Sequence, residues 1–101
     1  MRAYGAMAVI TLPPGETTVV TLASNPSTGY RWKLLATDAR VVRLVSHRYV
    51  PPKVARPGAG GKELWRFVAR AHGTVTLVFG YLRPWLPKEV ARRFRVVIKV
   101  P

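Results

Sequence analysis

Cysteine and glutamine are absent from the 101-residue chain, asparagine occurs once (Asn25), and only four residues are acidic. Each gap removes a class of explanation. Without cysteine there is no disulfide framework, no thiolate nucleophile and no cysteine-based zinc site. The two histidines, His47 and His72, are isolated in the sequence and make a poor metal site. A lone Asp (Asp38) and three scattered Glu offer no paired carboxylates, and no signature marks any Ser as a nucleophile. No cofactor or metal is therefore expected, and the chain does not read as an enzyme. No run of about 18 apolar residues exists, which excludes a spanning helix. The scarcity of Asn, Gln and Cys, with Arg exceeding Lys, is one mark of proteins from hot environments and bears on stability alone.

What is present suffices for a core. Apolar residues make up 49% of the chain and aromatics 10%, and the length fits one domain, residues 1–101. The stretch from Arg2 to Ile10 faintly resembles a short signal peptide. It lacks a long apolar segment and a small-x-small site before Pro13-Pro14-Gly15, so it reads as an opening strand. The cytoplasm is the default location, with secretion or the periplasm open if a leader has been removed.

Net charge is +13. Such a balance first suggests nucleic acid, because Lys and Arg gain affinity by releasing phosphate counterions. The cations are dispersed, however, many at every second position of apparent strands, and no block of five like charges occurs. Two readings follow: a solvated sheet face that keeps a small domain soluble, or a footprint for an anionic partner, nucleic acid or acidic protein.

Period-two patterning runs through most of the sequence. Trp65, Phe67 and Ala69 alternate with Arg66, Val68 and Arg70; Val75, Leu77 and Phe79 with Thr74, Thr76 and Val78; Phe94, Val96, Ile98 and Val100 with Arg93, Arg95, Val97 and Lys99. Each reads as a half-buried strand. Weaker β-branched runs lie at 7–12, 17–22, 31–36 and 41–50. The helical candidate, Lys88–Phe94, is too short and too Arg-laden to stand. About seven antiparallel strands in one all-β domain favour a β-sandwich, without an inter-sheet disulfide. The basic last strand, from Ala91 to Val100, is expected at a sheet edge, where its charges discourage pairing and favour a monomer.

The connections fall into two kinds. Pro13–Glu16, Thr37–Arg40 and Ala71–Gly73 are short turns; Ala23–Tyr30, Pro51–Lys62 and Leu82–Glu89 are longer and rich in Pro, Gly and aromatics. If successive strands alternate in direction, odd connections share one end of the domain and even ones the other. The short turns are the odd set. All three elaborate loops therefore converge at one end, as a binding face requires.

The first loop reads Asn25-Pro26-Ser27-Thr28-Gly29-Tyr30, a stiff wedge with two hydroxyls at its tip, or else an ordinary turn. Asn25 is suited to bonding its own backbone. The second ends in Gly58-Ala59-Gly60-Gly61, which either permits close backbone approach or forms a loose linker. It is no phosphate cradle, since no GK[ST] and no helix follow. The third contains Arg83-Pro84-Trp85, and Trp85 is either an interface anchor or a cap folded onto the core. Trp32 and Trp65 lie in strands and read as core or sheet-face residues.

These three segments, in this order, resemble the chagasin family of cysteine-protease inhibitors, marked by NP[ST]TG[YF], GxGG and RPW loops. Trp32 and Tyr81 fit the pattern too, and the likeness is firmest from Asn25 to Trp85. Ser27 stands where Thr is commoner, and Leu86-Pro87 follow the third motif where a polar residue, often Glu, is expected. The resemblance implies an immunoglobulin-like sandwich that inhibits papain-like cysteine proteases reversibly, one to one. Asn25, Pro26, Ser27, Thr28, Gly29 and Tyr30 would enter the cleft with Thr28 by the catalytic thiol. Gly58, Ala59, Gly60 and Gly61 would line one wall through their backbone, and Arg83, Pro84 and Trp85 the other. Prolines 26, 57, 84 and 87 would lower the entropic cost of docking. Two rivals remain at this level: a basic sandwich that binds nucleic acid, and an adhesion or scaffold domain that leaves the loops without a purpose.

Overall fold

Alternation of apolar and polar residues sets up strands with one wet and one dry face, and the molecule consists of such strands. A computed structural model describes residues 6–54, 56 and 58–101. Its strands are β1 (Ala6–Thr11), β2 (Thr17–Ser24), β3 (Arg31–Ala36), β4 (Val42–Val50), β5 (Gly61–Ala69), β6 (Gly73–Leu82) and β7 (Arg92–Val100), with one 3-10 turn at Pro26–Thr28. They form a four-stranded sheet ordered β1-β7-β6-β3 and a three-stranded sheet ordered β2-β5-β4. The architecture is an immunoglobulin-like β-sandwich. Residues 1–5, part of the expected opening strand, and Ala55 and Pro57 of the second loop lie outside the described residues.

Pairing confirms the alternation of strand direction. The β2–β5, β4–β5, β3–β6 and β6–β7 pairs are antiparallel, whereas β1 and β7 pair in parallel. Strict up-and-down alternation demands this exception, because the first and seventh strands are both odd. The short connections thus share one end and the three long loops the other.

The inward faces supply the core. Trp65, Phe67 and Ala69 of β5 meet Val75, Leu77 and Phe79 of β6 and Val96, Ile98 and Val100 of β7. Phe79 makes T-shaped contacts with two rings, Trp65 at 5.2 Å and Phe67 at 6.2 Å between centroids. Such edge-to-face pairs add about 0.5–1.5 kcal/mol beyond area burial. Trp32 is buried, as a strand position predicts.

One expectation fails. The basic last strand is not an edge: β7 sits between β1 and β6. Its Arg93, Arg95 and Lys99 coat the outer face of a central strand, and alternating charge looks the same in either position. The edges are β1, β3, β2 and β4. On β4 the expected protection is present, with Arg43, His47 and Arg48 and a break in register between Leu44 and Ser46. No helix forms across 88–94; Arg92 already begins β7.

Phe67 is fully buried at the centre of this packing. Phe67→Ala is expected to cost about 3–5 kcal/mol in denaturant unfolding, and Arg43→Ala, on the outer face, less than about 0.5.

Candidate functional site

Beneath the long loops lies a buried carboxylate. Glu63, the third residue of β5, is 4% exposed and sits on the same inward parity as Trp65 and Phe67. Burying a charge is costly unless it is hydrogen-bonded. The Ser24 hydroxyl donates to Oε2 at 2.7 Å, the Trp32 backbone N–H donates to the same oxygen at 3.2 Å, and His47 Nε2 lies 2.8 Å from Oε1. Ser24 ends β2 and Trp32 is the second residue of β3, so one oxygen fastens both stems of the first loop. The His47 ring stacks on Trp65 with centroids 3.6 Å apart, which holds the imidazole against the carboxylate.

Above this clamp the first loop is braced from within. Pro26 opens the 3-10 turn, and Gly29, at φ 84°, closes it with its N–H donated to the Pro26 carbonyl. Thr28 donates its hydroxyl to the Asn25 carbonyl at 2.7 Å and accepts the Tyr30 N–H at 3.3 Å. Ser27 donates to Asn25 Oδ1 at 2.6 Å. The two hydroxyls at the tip therefore rigidify the loop. Asn25 does not bond its own backbone as expected; its Nδ2 donates to the Gly58 carbonyl at 3.3 Å and ties the first loop to the second. Its N–H donates to the Tyr81 hydroxyl.

The second loop is threaded closely past its neighbours. Ala59 N–H bonds the Arg56 carbonyl. Gly61 is the first residue of β5, and a Cβ there would collide with the Val50 carbonyl oxygen and lie 2.7 Å from the Tyr49 hydroxyl. Glycine is thus required by space at Gly61, and a loose linker is not what the backbone forms there.

The third loop turns twice, with Leu86 N–H on the Arg83 carbonyl and Glu89 N–H on the Leu86 carbonyl. Pro84 and Trp85 occupy the first tip. Trp85 is 65% exposed, which removes the reading of a core cap. Its indole lies across Gly29, where an added Cβ would come within 2.8 Å of the ring. Arg83 stands 4.7 Å above the Tyr30 ring. Tyr30 stacks on Tyr81 at 5.3 Å and Tyr81 packs at a tilt against Trp32 at 4.9 Å, so an aromatic ladder runs from the loop surface to the core.

All thirteen candidate residues thus lie at one end of the sandwich, with the first loop touching both others. Among the described residues no three His, Cys, Asp or Glu side chains converge. The Ser27 and Thr28 hydroxyls both donate to oxygens of Asn25, and the cluster offers a rigid, shaped surface.

Sequence comparison matches residues 11–100 to the chagasin family of peptidase inhibitors, I42. The chain belongs to the chagasin family. Chagasin of Trypanosoma cruzi is 33% identical over 97 residues, covering 91% of this chain and 88% of the relative. Amoebiasin-1 of Entamoeba histolytica is 30% identical over 93 residues, covering 90% and 88%. Among solved structures, PbICP-C in complex with falcipain-2 superposes with a TM-score of 0.79 over 99% of this chain and 92% of that one; at 16% identity it speaks to the fold. The family consists of inhibitors, not enzymes, and the match lends nothing to a nucleic-acid module.

Missed by motif reading were Glu63, His47 and Ser24 of the clamp and Arg92, which faces the ladder. For Glu63 a signal existed: it precedes Trp65 and Phe67 at the same parity. In a chagasin-family inhibitor such as this one the clamp is expected to govern stability. Glu63→Ala leaves two buried donors unpartnered at about 1–3 kcal/mol each, so unfolding should lose about 2–6 kcal/mol. Glu63→Gln, which keeps an acceptor oxygen, should retain most of it.

Proposed function

We propose that this chain inhibits papain-like cysteine proteases by filling the active-site cleft, reversibly and one to one, with its three long loops. The observation that carries this reading is their mutual bracing. Trp85 lies over Gly29, Arg83 over Tyr30, and Asn25 bonds Gly58, so the three family motifs act as one preformed wedge.

The mechanism follows from shape and order. The first loop leads, and Thr28 lies by the catalytic thiol, offering the enzyme no bond to cleave in an extended substrate register. Its Ser27 and Thr28 hydroxyls are already bonded within the loop, so little conformational freedom is lost on entry. Ordering a flexible side chain at an interface costs about 0.5–1.5 kcal/mol, and this wedge avoids much of that cost. Gly58–Gly61 lie along one wall, with no side chain at three of four positions to hold the backbones apart. Trp85, with Arg83 and Pro84, packs on the other wall, where a large exposed aromatic gains most from being covered.

Titration of a papain-like protease with the purified chain, read by residual hydrolysis of a fluorogenic peptide, tests the reading. Stoichiometric loss of activity at nanomolar protein supports it; full activity of several such enzymes at micromolar protein refutes it. Trp85→Ala is expected to raise the inhibition constant about 30-fold or more, equivalent to about 2 kcal/mol, while shifting unfolding by less than about 0.5 kcal/mol. Gly29→Ala, forced to positive φ and against the indole, is expected to weaken inhibition with little change in the sandwich.

A further inference from the structure

The charge is not spread evenly over the two ends of the sandwich. Of the four acids, Glu16 and Asp38 lie in turns at the end away from the loops, and Glu63 is buried in its clamp. Asp38 is further tied to Arg40 at 3.0 Å, and those hydrogen bonds hold its carboxyl below the usual range. The loop end keeps one exposed acid, Glu89, against the exposed cations Arg31, Arg48, Lys62, Lys88 and Arg92 and the half-buried Arg83. Among the described residues the ion pairs are Arg40–Asp38 and His47–Glu63, so none of these six has a carboxylate partner. A surface charged only for solubility mixes both signs. Here one acid stands against these six cations.

Two of the cations are also held in place. The Arg92 guanidinium lies 5.5 Å from the Tyr81 ring centroid and 5.8 Å from that of Trp32, and Arg83 lies over Tyr30. Stacking fixes the planar fork and leaves its N–H donors free for a carboxylate. Arg92 borders a cleft of about 400 Å³ between the first and second loops, with Ser24, Asn25, Gly60 and Tyr81 on its other sides. The Tyr81 hydroxyl accepts the Asn25 N–H, so its own proton remains available to donate there.

We propose that the loop end is a cationic docking face for proteases with an acidic cleft rim, and that Arg92 determines this specificity by receiving an Asp or Glu side chain from the rim. The proposal rests on the inhibitor reading and names the class of protease it favours. Distance makes the face local. The molecule is 44 Å long, whereas charges in physiological salt are screened beyond about 8 Å, so the far-end residues contribute little to docking. Complementary fields of this kind raise association rates about 10- to 1000-fold at low salt and reject like-charged partners.

Stopped-flow association with two papain-like proteases, one with an acidic and one with a basic cleft rim, tests this. With the acidic-rim enzyme the association rate is expected to fall at least about tenfold from about 20 to 500 mM NaCl; with the basic-rim enzyme it should start lower and rise. Arg92→Glu should slow the first reaction several-fold at low salt. Arg70→Glu, the same change of charge in a turn at the far end, should leave it within about twofold. Arg48→Glu, on an exposed edge position of the same end, should slow it less than Arg92→Glu but more than Arg70→Glu, and it tests the face should Arg92→Glu not fold. Salt-independent association with both enzymes, or equal slowing by the near and far reversals, overturns the docking face while the inhibitor reading stands. No inhibition of either enzyme overturns both.

Discussion

The interaction on which the loop end depends is the hydrogen-bonded burial of the Glu63 carboxylate. A carboxylate removed from water is tolerable only when its oxygens are satisfied. Here the donors come from β2 and β3, with His47 of β4 against the second oxygen. No single hairpin can supply them. The charge therefore couples both sheets just beneath the long loops, and any movement of a loop stem leaves a buried charge short of a partner. Apolar packing fills the sandwich but is indifferent to small slips; a buried charge with directional partners is not.

From this anchor, order is passed outward in steps. The clamp sets the stems, the 3-10 turn and its hydroxyl bonds set the tip of the first loop, and Asn25 passes its position to Gly58. On the other side the ladder Trp32, Tyr81, Tyr30 carries the core packing up to Arg83, and Trp85 rests on Gly29. Polar and aromatic networks thus converge on the same six-residue loop from opposite sides. A plug that presents a surface and offers no chemistry needs this arrangement, because its affinity is reduced by whatever freedom it must lose on binding.

The fold was legible in the sequence wherever one strand face is dry. β5, β6 and β7 declare themselves by alternation, and counting connections by parity places the three loops together from sequence alone. Sheet order is another matter. The Arg-rich alternation of β7 describes a wet face and says nothing about whether both edges of the strand are paired, which is why a central strand looked like an edge. β4 is nearly unreadable by pattern, because the residues between Val42 and Val50 are all exposed and its bulge resets the parity before His47. Glu63 shows a different limit: its spacing ahead of Trp65 marks it as inward-facing, but the partners that make such a residue tolerable come from distant segments. The motifs mark the candidate site, whereas the clamp and loop-to-loop hydrogen bonds that stiffen it join residues far apart in sequence and leave no local pattern.

Trp85 and the cations around it address different stages of one encounter. An indole left 65% exposed at a loop tip is apolar area kept in water, and covering it lengthens the life of a complex already formed. It does little at a distance, since dispersion and desolvation act only on contact. Charge acts beforehand, over the Debye length, and brings a complementary rim into register before the wedge enters. Placing unpaired guanidinium groups on aromatic faces at the same end as that indole joins the two stages without neutralising either: π-faces orient Arg83 and Arg92 but leave their charge uncompensated, as a carboxylate would not. The scarcity of acids at this end is thus part of the recognition surface itself, because each added Asp or Glu beside the loops would pair with the very cations that face an incoming protease.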